Sequence, residues 1–170
     1  MRDTLVLTII GPDRTGLVES VSDRIAAAGG NWEASRMARL AGQFAGILLV
    51  TVDSPASDAL VGSLRGLESA GLQITVRSTA PAAPVTGAHV RLEINAQDRP
   101  GIIRDVSRVL AERGLNVEEL ESEVTSGAMS GEQMFRAHAR LFAPAGADLG
   151  DLRARLERLS GELMVDLAVE

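Results

Sequence analysis

The chain has 170 residues, no cysteine and no lysine, 17 arginines against 23 acidic residues, and a net charge of −6 with a pI near 5.0. That composition excludes disulfides, thiolate nucleophiles, cysteine-based metal sites and lysine-dependent phosphate or Schiff-base chemistry. The charge has the wrong sign for a protein that grips a phosphate backbone unaided, and with only Trp32, Phe44, Phe135 and Phe142 as aromatics no base-stacking platform is expected.

Met1-Arg2-Asp3 leads directly into an apolar stretch too short for a signal peptide or a membrane span, so a cytoplasmic protein is expected. Residues 4–10 read as a strand, with Leu5, Leu7 and Ile9 on one face and a mixed set, Thr4, Val6, Thr8 and Ile10, on the other. After a loop, Leu17, Val21, Ile25 and Ala28 recur at helical spacing until Gly29-Gly30 stops them. Residues 32–40 and 44–52 form a hairpin around Ala41-Gly42. Ser54-Pro55 breaks the pattern, Leu60, Val61, Leu64 and Leu67 predict a helix ending near Gly71, and 72–79 is a further strand.

Residues 80–88, rich in alanine and proline, read as a short stiff linker. The order then repeats: strand 89–96, helix 101–113, strands 116–125 and 133–142, helix 148–160, strand 162–169. Val90, Leu92 and Ile94, like Phe135, Ala137, Ala139 and Leu141, alternate with polar residues, which predicts one sheet face under helices and one polar face.

The repetition is a duplication. At an offset of 85 Asp13 matches Asp98, and the same offset aligns Arg14 with Arg99, Gly16 with Gly101, Val21 with Val106, Gly29 with Gly114 and Asn31 with Asn116. The expected fold is therefore α+β: two ferredoxin-like βαββαβ domains, 1–79 and 89–170, each an antiparallel sheet with helices on one face. The second hairpin is longer by about six residues around 126–132, read either as a tolerated insertion or as a lid or partner loop.

Each copy turns from strand to helix through Asp-Arg-x-Gly. Glycine lets the backbone approach a ligand closely, and the first helical turn offers peptide N–H groups with no internal partner, suited to a carboxylate or phosphate. Asp13 and Asp98 either cap their helices or belong to a ligand loop, and Pro100 either belongs to that loop or simply favours the first helical turn. Asn31 and Asn116 either accept from a ligand's ammonium or take a left-handed turn after glycine.

Other constellations point less strongly to chemistry. Arg14 with Asn31, or Arg99 with Asn116, superficially offers the arginine and asparagine of an acylphosphatase, but the glycine-rich phosphate cradle is missing. His89 and His138 on outward strand faces read as solvated, with too few further ligands for a metal. Glu118, Glu119, Glu121 and Glu123 read as a solvated strand edge, and Arg91, Arg136 and Arg140 as a local basic patch. No catalytic residue, metal or cofactor is implied, so the chain is expected not to be an enzyme.

The Asp98–Ile103 turn, Asp-Arg-Pro-Gly-Ile-Ile, followed by a helix and then Gly114-x-Asn116, resembles the opening of an ACT domain, the small regulatory module that binds amino acids. The first copy departs from the pattern with Thr15 in place of proline. The glycine-rich end of the long hairpin, Gly131 to Phe135, and the stretch Leu141 to Gly146 are similar to the glycine cleavage system transcriptional repressor family. The resemblance implies a small amino acid ligand, glycine or similar, and action through a protein partner such as a transcription regulator, without membrane or direct nucleic acid contact. An amino-acid-responsive subunit of a metabolic enzyme is the alternative, and a homodimer is expected in either case. On this pattern the ligand-facing stretches are Asp13, Arg14, Thr15, Gly16 and Leu17 with Asn31, and Asp98, Arg99, Pro100, Gly101 and Ile102 with Asn116. Pro100 has no N–H, so in that copy the amides of Gly101 and Ile102 would carry the contact.

Overall fold

A computed structural model describes residues 1–80, 85–126, 131–159 and 163–170. The chain divides into two units, residues 1–83 and 84–170. Residues 81–84 of the expected linker, 127–130 of the long hairpin and 160–162 near the last helix and strand lie outside the described residues.

The first unit runs β1 (Arg2–Pro12), α1 (Leu17–Ala27), β2 (Asn31–Leu40), β3 (Gln43–Asp53), α2 (Ser57–Arg65) and β4 (Gln73–Thr79). The second repeats it as β5 (Gly87–Gln97), α3 (Ile102–Glu112), β6 (Asn116–Ser126), β7 (Gln133–Pro144), α4 (Leu149–Glu157) and β8 (Met164–Val169). Both sheets are four-stranded and antiparallel in the ferredoxin-like order, β2-β3-β1-β4 and β6-β7-β5-β8. The α2 periodicity ran on towards Gly71 because the helix tightens into a 3-10 turn over Gly66–Ala70 before Gly71 ends it at φ 86°.

Alternation builds each core. Leu5, Leu7 and Ile9 meet Leu17, Val21 and Ile25 of α1 and Leu60 and Leu64 of α2 in one buried cluster. Val90, Leu92, Ile94, Val106, Leu110, Leu152 and Leu156 belong to its counterpart. Each fully buried leucine or isoleucine contributes about 1.5–3 kcal/mol, so these stripes, more than intrinsic helix propensity, hold the helices on the sheet.

The expectation of a polar open face holds for the second sheet and fails for the first. In the first sheet Val6 pairs across β3 with Leu49, and Thr8 with Ile47. Ile10 and Ile47 remain about half exposed there (46% and 48%), and Ala34, Ala38 and Ala45 extend the same apolar face. The alternation in β1 and β3 is apolar on both faces, with threonines supplying the polar positions, so its period does not distinguish inside from outside.

No helix among the described residues is long and apolar enough to cross a membrane.

Candidate functional site

The two Asp-Arg-x-Gly bends take the same shape. The strand before each is closed by a backbone bond to its neighbour, Asp13 N–H donating to Gly42 O at 2.9 Å and Asp98 N–H to Gln133 O at 2.8 Å. Gly16 and Gly101 then turn left-handed, φ 87° and 91°, and are the N-caps of α1 and α3. Their carbonyls accept the first intrahelical bonds, from Ser20 N–H at 2.9 Å and Asp105 N–H at 3.0 Å. The peptide N–H groups of the intervening first turn have no intrahelical partner, so each bend presents a row of donors at the positive end of a helix.

The capping reading of the two aspartates is corrected by this geometry. Neither helix has a side-chain cap bond, so Asp13 and Asp98, three residues before the capping glycines, do not cap them. Pro100 stands directly before the capping Gly101, close to the first helical turn as expected but outside it. A left-handed residue already starts the helix, and the aspartates are left to side-chain partners.

Those partners differ between the copies. Asp13 Oδ2 lies 2.6 Å from Arg39 Nε at the end of β2, and Arg14 donates to Ala70 O at 2.9 Å, so the charges of the first bend are engaged within its own unit. In the second bend Arg99 folds back onto Asp105 Oδ2 at 3.0 Å, while Arg104 holds Oδ1 at 2.9 Å. Hydrogen bonds from Arg104 first and Arg99 second hold the Asp105 carboxyl below its ordinary pKa. Asp98 is exposed and makes no ion pair among the described residues. Of the two bend aspartates only Asp98 is therefore uncommitted among the described residues, while in the first bend the Glu19 carboxylate of the first helical turn lies beside Gly16. Asp105 and Arg39 were not singled out in the sequence, although the Arg99–Asp105 spacing and the hairpin end beside Asp13 carried the signal.

The asparagines do not join the bends of their own sheets. Asn31 is level with Thr51 and through it with Thr4, nine residues before Asp13, which is about 30 Å along the strand. Asn116 is level with Phe142 and His89, at the same remove from Asp98. Neither asparagine is left-handed, for Gly29 and Gly114 take that conformation, both at φ 68°. Asn31 Nδ2 instead donates to Glu33 at 3.0 Å, and this bond followed by one from Thr51 lowers the Glu33 pKa. The separation also parts Arg14 from Asn31 and Arg99 from Asn116, so no acylphosphatase-like pair forms within either unit.

Several of the remaining polar groups of the second sheet lie close to one another. His89 Nδ1 is buried and 3.0 Å from Glu118 but makes no hydrogen bond in that geometry, its ring stands edge-on to Phe142, and His138 Nδ1 is 3.8 Å from Glu93. The two histidines thus serve different carboxylates, and among the described residues no cluster of three or more candidate ligands could hold a metal ion. Glu118 is not a bare solvated edge residue, since it also receives Arg140 at 3.6 Å. The expected basic patch is largely neutralised, with Arg91 and Arg140 both held by Glu170 at 3.7 and 3.2 Å.

Comparison with known proteins agrees with the duplication. The ACT domain family matches residues 3–77 and again residues 90–160. The glycine cleavage system transcriptional repressor of Escherichia coli K12 is 28% identical over 163 residues, covering 94% of this chain and 85% of the relative. A solved structure of an unknown protein from Galdieria sulphuraria superposes with a TM-score of 0.84 at 30% identity, over 100% of this chain and 99% of that one. A second, provisionally assigned as a glycine cleavage system transcriptional repressor, gives 0.72 at 21% identity, over 100% and 98%, and shares the fold. The chain belongs to the ACT-domain family as a tandem pair of ACT domains that resembles the glycine cleavage system transcriptional repressor.

Proposed function

We propose that this chain is a non-catalytic, cytoplasmic regulatory protein that senses a small amino acid, glycine or a close analogue, and acts as a homodimer through a protein partner without touching DNA itself. The observation that carries this reading is the similarity to a glycine cleavage repressor that runs through both ACT domains. The two bends supply the recognition: the amides of Gly16 and Leu17, and of Gly101 and Ile102, receive the ligand carboxylate, and Asp98 accepts from its ammonium. Thr15 and Pro100 shape the approach, with Arg14 and Arg99 at the rim and Asp13 already held by Arg39. Asn31 and Asn116 serve only a ligand held by a bend other than that of their own sheet.

Thermal unfolding of the full chain against a panel of amino acids tests the proposal. Glycine or a similar small zwitterion is expected to raise the melting temperature, and the absence of any shift at millimolar concentrations overturns it. Affinity capture from the native cell, with and without glycine, then identifies the partner. Recovery of a transcription regulator supports the repressor-like reading, and recovery of a metabolic enzyme alone replaces it with the regulatory-subunit reading.

A further inference from the structure

The helix side of the second unit carries a groove that neither the ACT match nor the bends account for. It lies between α3 and α4, encloses about 320 Å³, and is floored by Val109 and Leu159. Its polar lining is Arg108, Arg155 and Arg158 with Asp105 and Glu112. Both carboxylates are already spoken for. Asp105 gives one oxygen to Arg99 and the other to Arg104, neither of which lines the groove, and Glu112 faces Arg155 at 3.6 Å. Arg155 also shares Asp151 at 3.6 Å. The Arg158 Nε donates to Ala154 O at 3.0 Å, which leaves its terminal nitrogens and its charge uncompensated by any carboxylate among the described residues. Arg108 makes no ion pair among the described residues. Two guanidinium groups that make no ion pair among the described residues therefore line one groove, in a chain whose net charge is −6.

The duplicated fold does not require this arrangement. At the offset of 85 the first unit has Asp23 where Arg108 stands and Ala27 where Glu112 stands. Aligning the buried pair Leu60 and Leu64 of α2 with Leu152 and Leu156 of α4 places Ser63 opposite Arg155 and Gly66 opposite Arg158. The helices pack on the first sheet without any of the three arginines. Uncompensated like charges facing one groove repel each other, an arrangement suited to a counter-ion arriving from outside.

We infer that the α3–α4 groove of the second unit is a binding site for a compact polyanion of the phosphate or polycarboxylate class, held by Arg108 and Arg158. Planar guanidinium groups bind both kinds of oxyanion through paired N–H donors, and a compact ligand with two or more charges can engage both arginines at once. The amino acid proposed for the bends is a zwitterion with no net charge, so it is a poor competitor for this groove. Substitution of Arg108 and Arg158, neither of which belongs to the bends, tells the two sites apart.

Calorimetric titration of the full chain with inorganic pyrophosphate and, in parallel, with citrate tests the site at low ionic strength, with sodium chloride at matched ionic strength as the control. We expect saturable binding of at least one of them, with the tighter of the two naming the oxyanion class, and marked weakening as salt rises. Arg108→Gln with Arg158→Gln should weaken it by about a hundredfold, roughly tenfold for each charge-assisted contact. Arg153→Gln, which removes an arginine paired with Glu157 outside the groove, should leave affinity within about twofold. Absence of binding by either anion up to about 10 mM, or equal binding by the double variant with unchanged circular dichroism, overturns the assignment.

Discussion

At the scale of single residues, the left-handed glycines are the most constrained positions of the proposed bends. A side chain at Gly101 would be forced to φ 91°, which disfavours any L-residue by about 1–2 kcal/mol. Gly101→Ala is therefore expected to lower the unfolding free energy of the second unit by about that amount in urea titrations. Gly62 is the internal control, since it lies inside α2 with open space where a Cβ would stand, and Gly62→Ala should stabilise by about 0.5–1 kcal/mol. Asp105 adds a pH dependence whose sign follows from its lowered pKa. A depressed carboxyl stabilises the fold above the unfolded value and loses that contribution as pH falls through the folded one. Asp105→Asn should thus be less stable than the parent at neutral pH, and chemical unfolding at a series of pH values should show the gap closing on acidification below the ordinary aspartate range.

At the scale of elements, the sequence made the helices and strands legible because burial alternates with the period each element requires. Leu17, Val21 and Ile25, and Leu152 and Leu156, lie where their spacing placed them. The duplicated glycines likewise pointed to the bends, since only a special backbone position calls for the same glycine in both copies. What the sequence concealed were tertiary partners: Arg39 reaching Asp13 across a hairpin, and Asp105 drawing Arg99 inward. Such contacts follow from which elements meet in the fold more than from the residues next to each aspartate, so a capping role stayed open for both. Among the described residues only α4 of the four α-helices has a side-chain cap, with Asp148 Oδ1 accepting from Asp151 N–H at 3.1 Å. Asp148→Ala should cost about 1 kcal/mol of stability, whereas Asp98→Ala, which removes no cap, should leave stability within about 0.5 kcal/mol while weakening ligand binding. Urea unfolding beside ligand titration separates the two effects.

At the scale of the whole molecule, two cores stand behind two copies of one bend, yet the copies are electrostatically unequal. Asp13 is engaged by Arg39, while Asp98 makes no ion pair among the described residues, so Asp98 is the freer of the two aspartates to receive an ammonium group. This inequality has a thermodynamic consequence, because a ligand stabilises the fold that binds it and leaves unlinked folds alone. At a hundredfold excess over its Kd the gain is about 2.7 kcal/mol, enough to raise the melting temperature of a domain this size by more than 10 °C at the usual 4–8 °C per kcal/mol. Trp32 is the only tryptophan and packs against the core of the first unit, so its fluorescence follows that unit alone, whereas far-ultraviolet circular dichroism follows both. Glycine should therefore shift the dichroism transition further than the tryptophan transition, and Asp98→Ala should abolish the difference. A shift confined to Trp32 would place the responsive bend in the first unit. Equal shifts would mean that occupation of one bend is felt by both folds, which is the coupling a sensor needs to transmit its state to a partner.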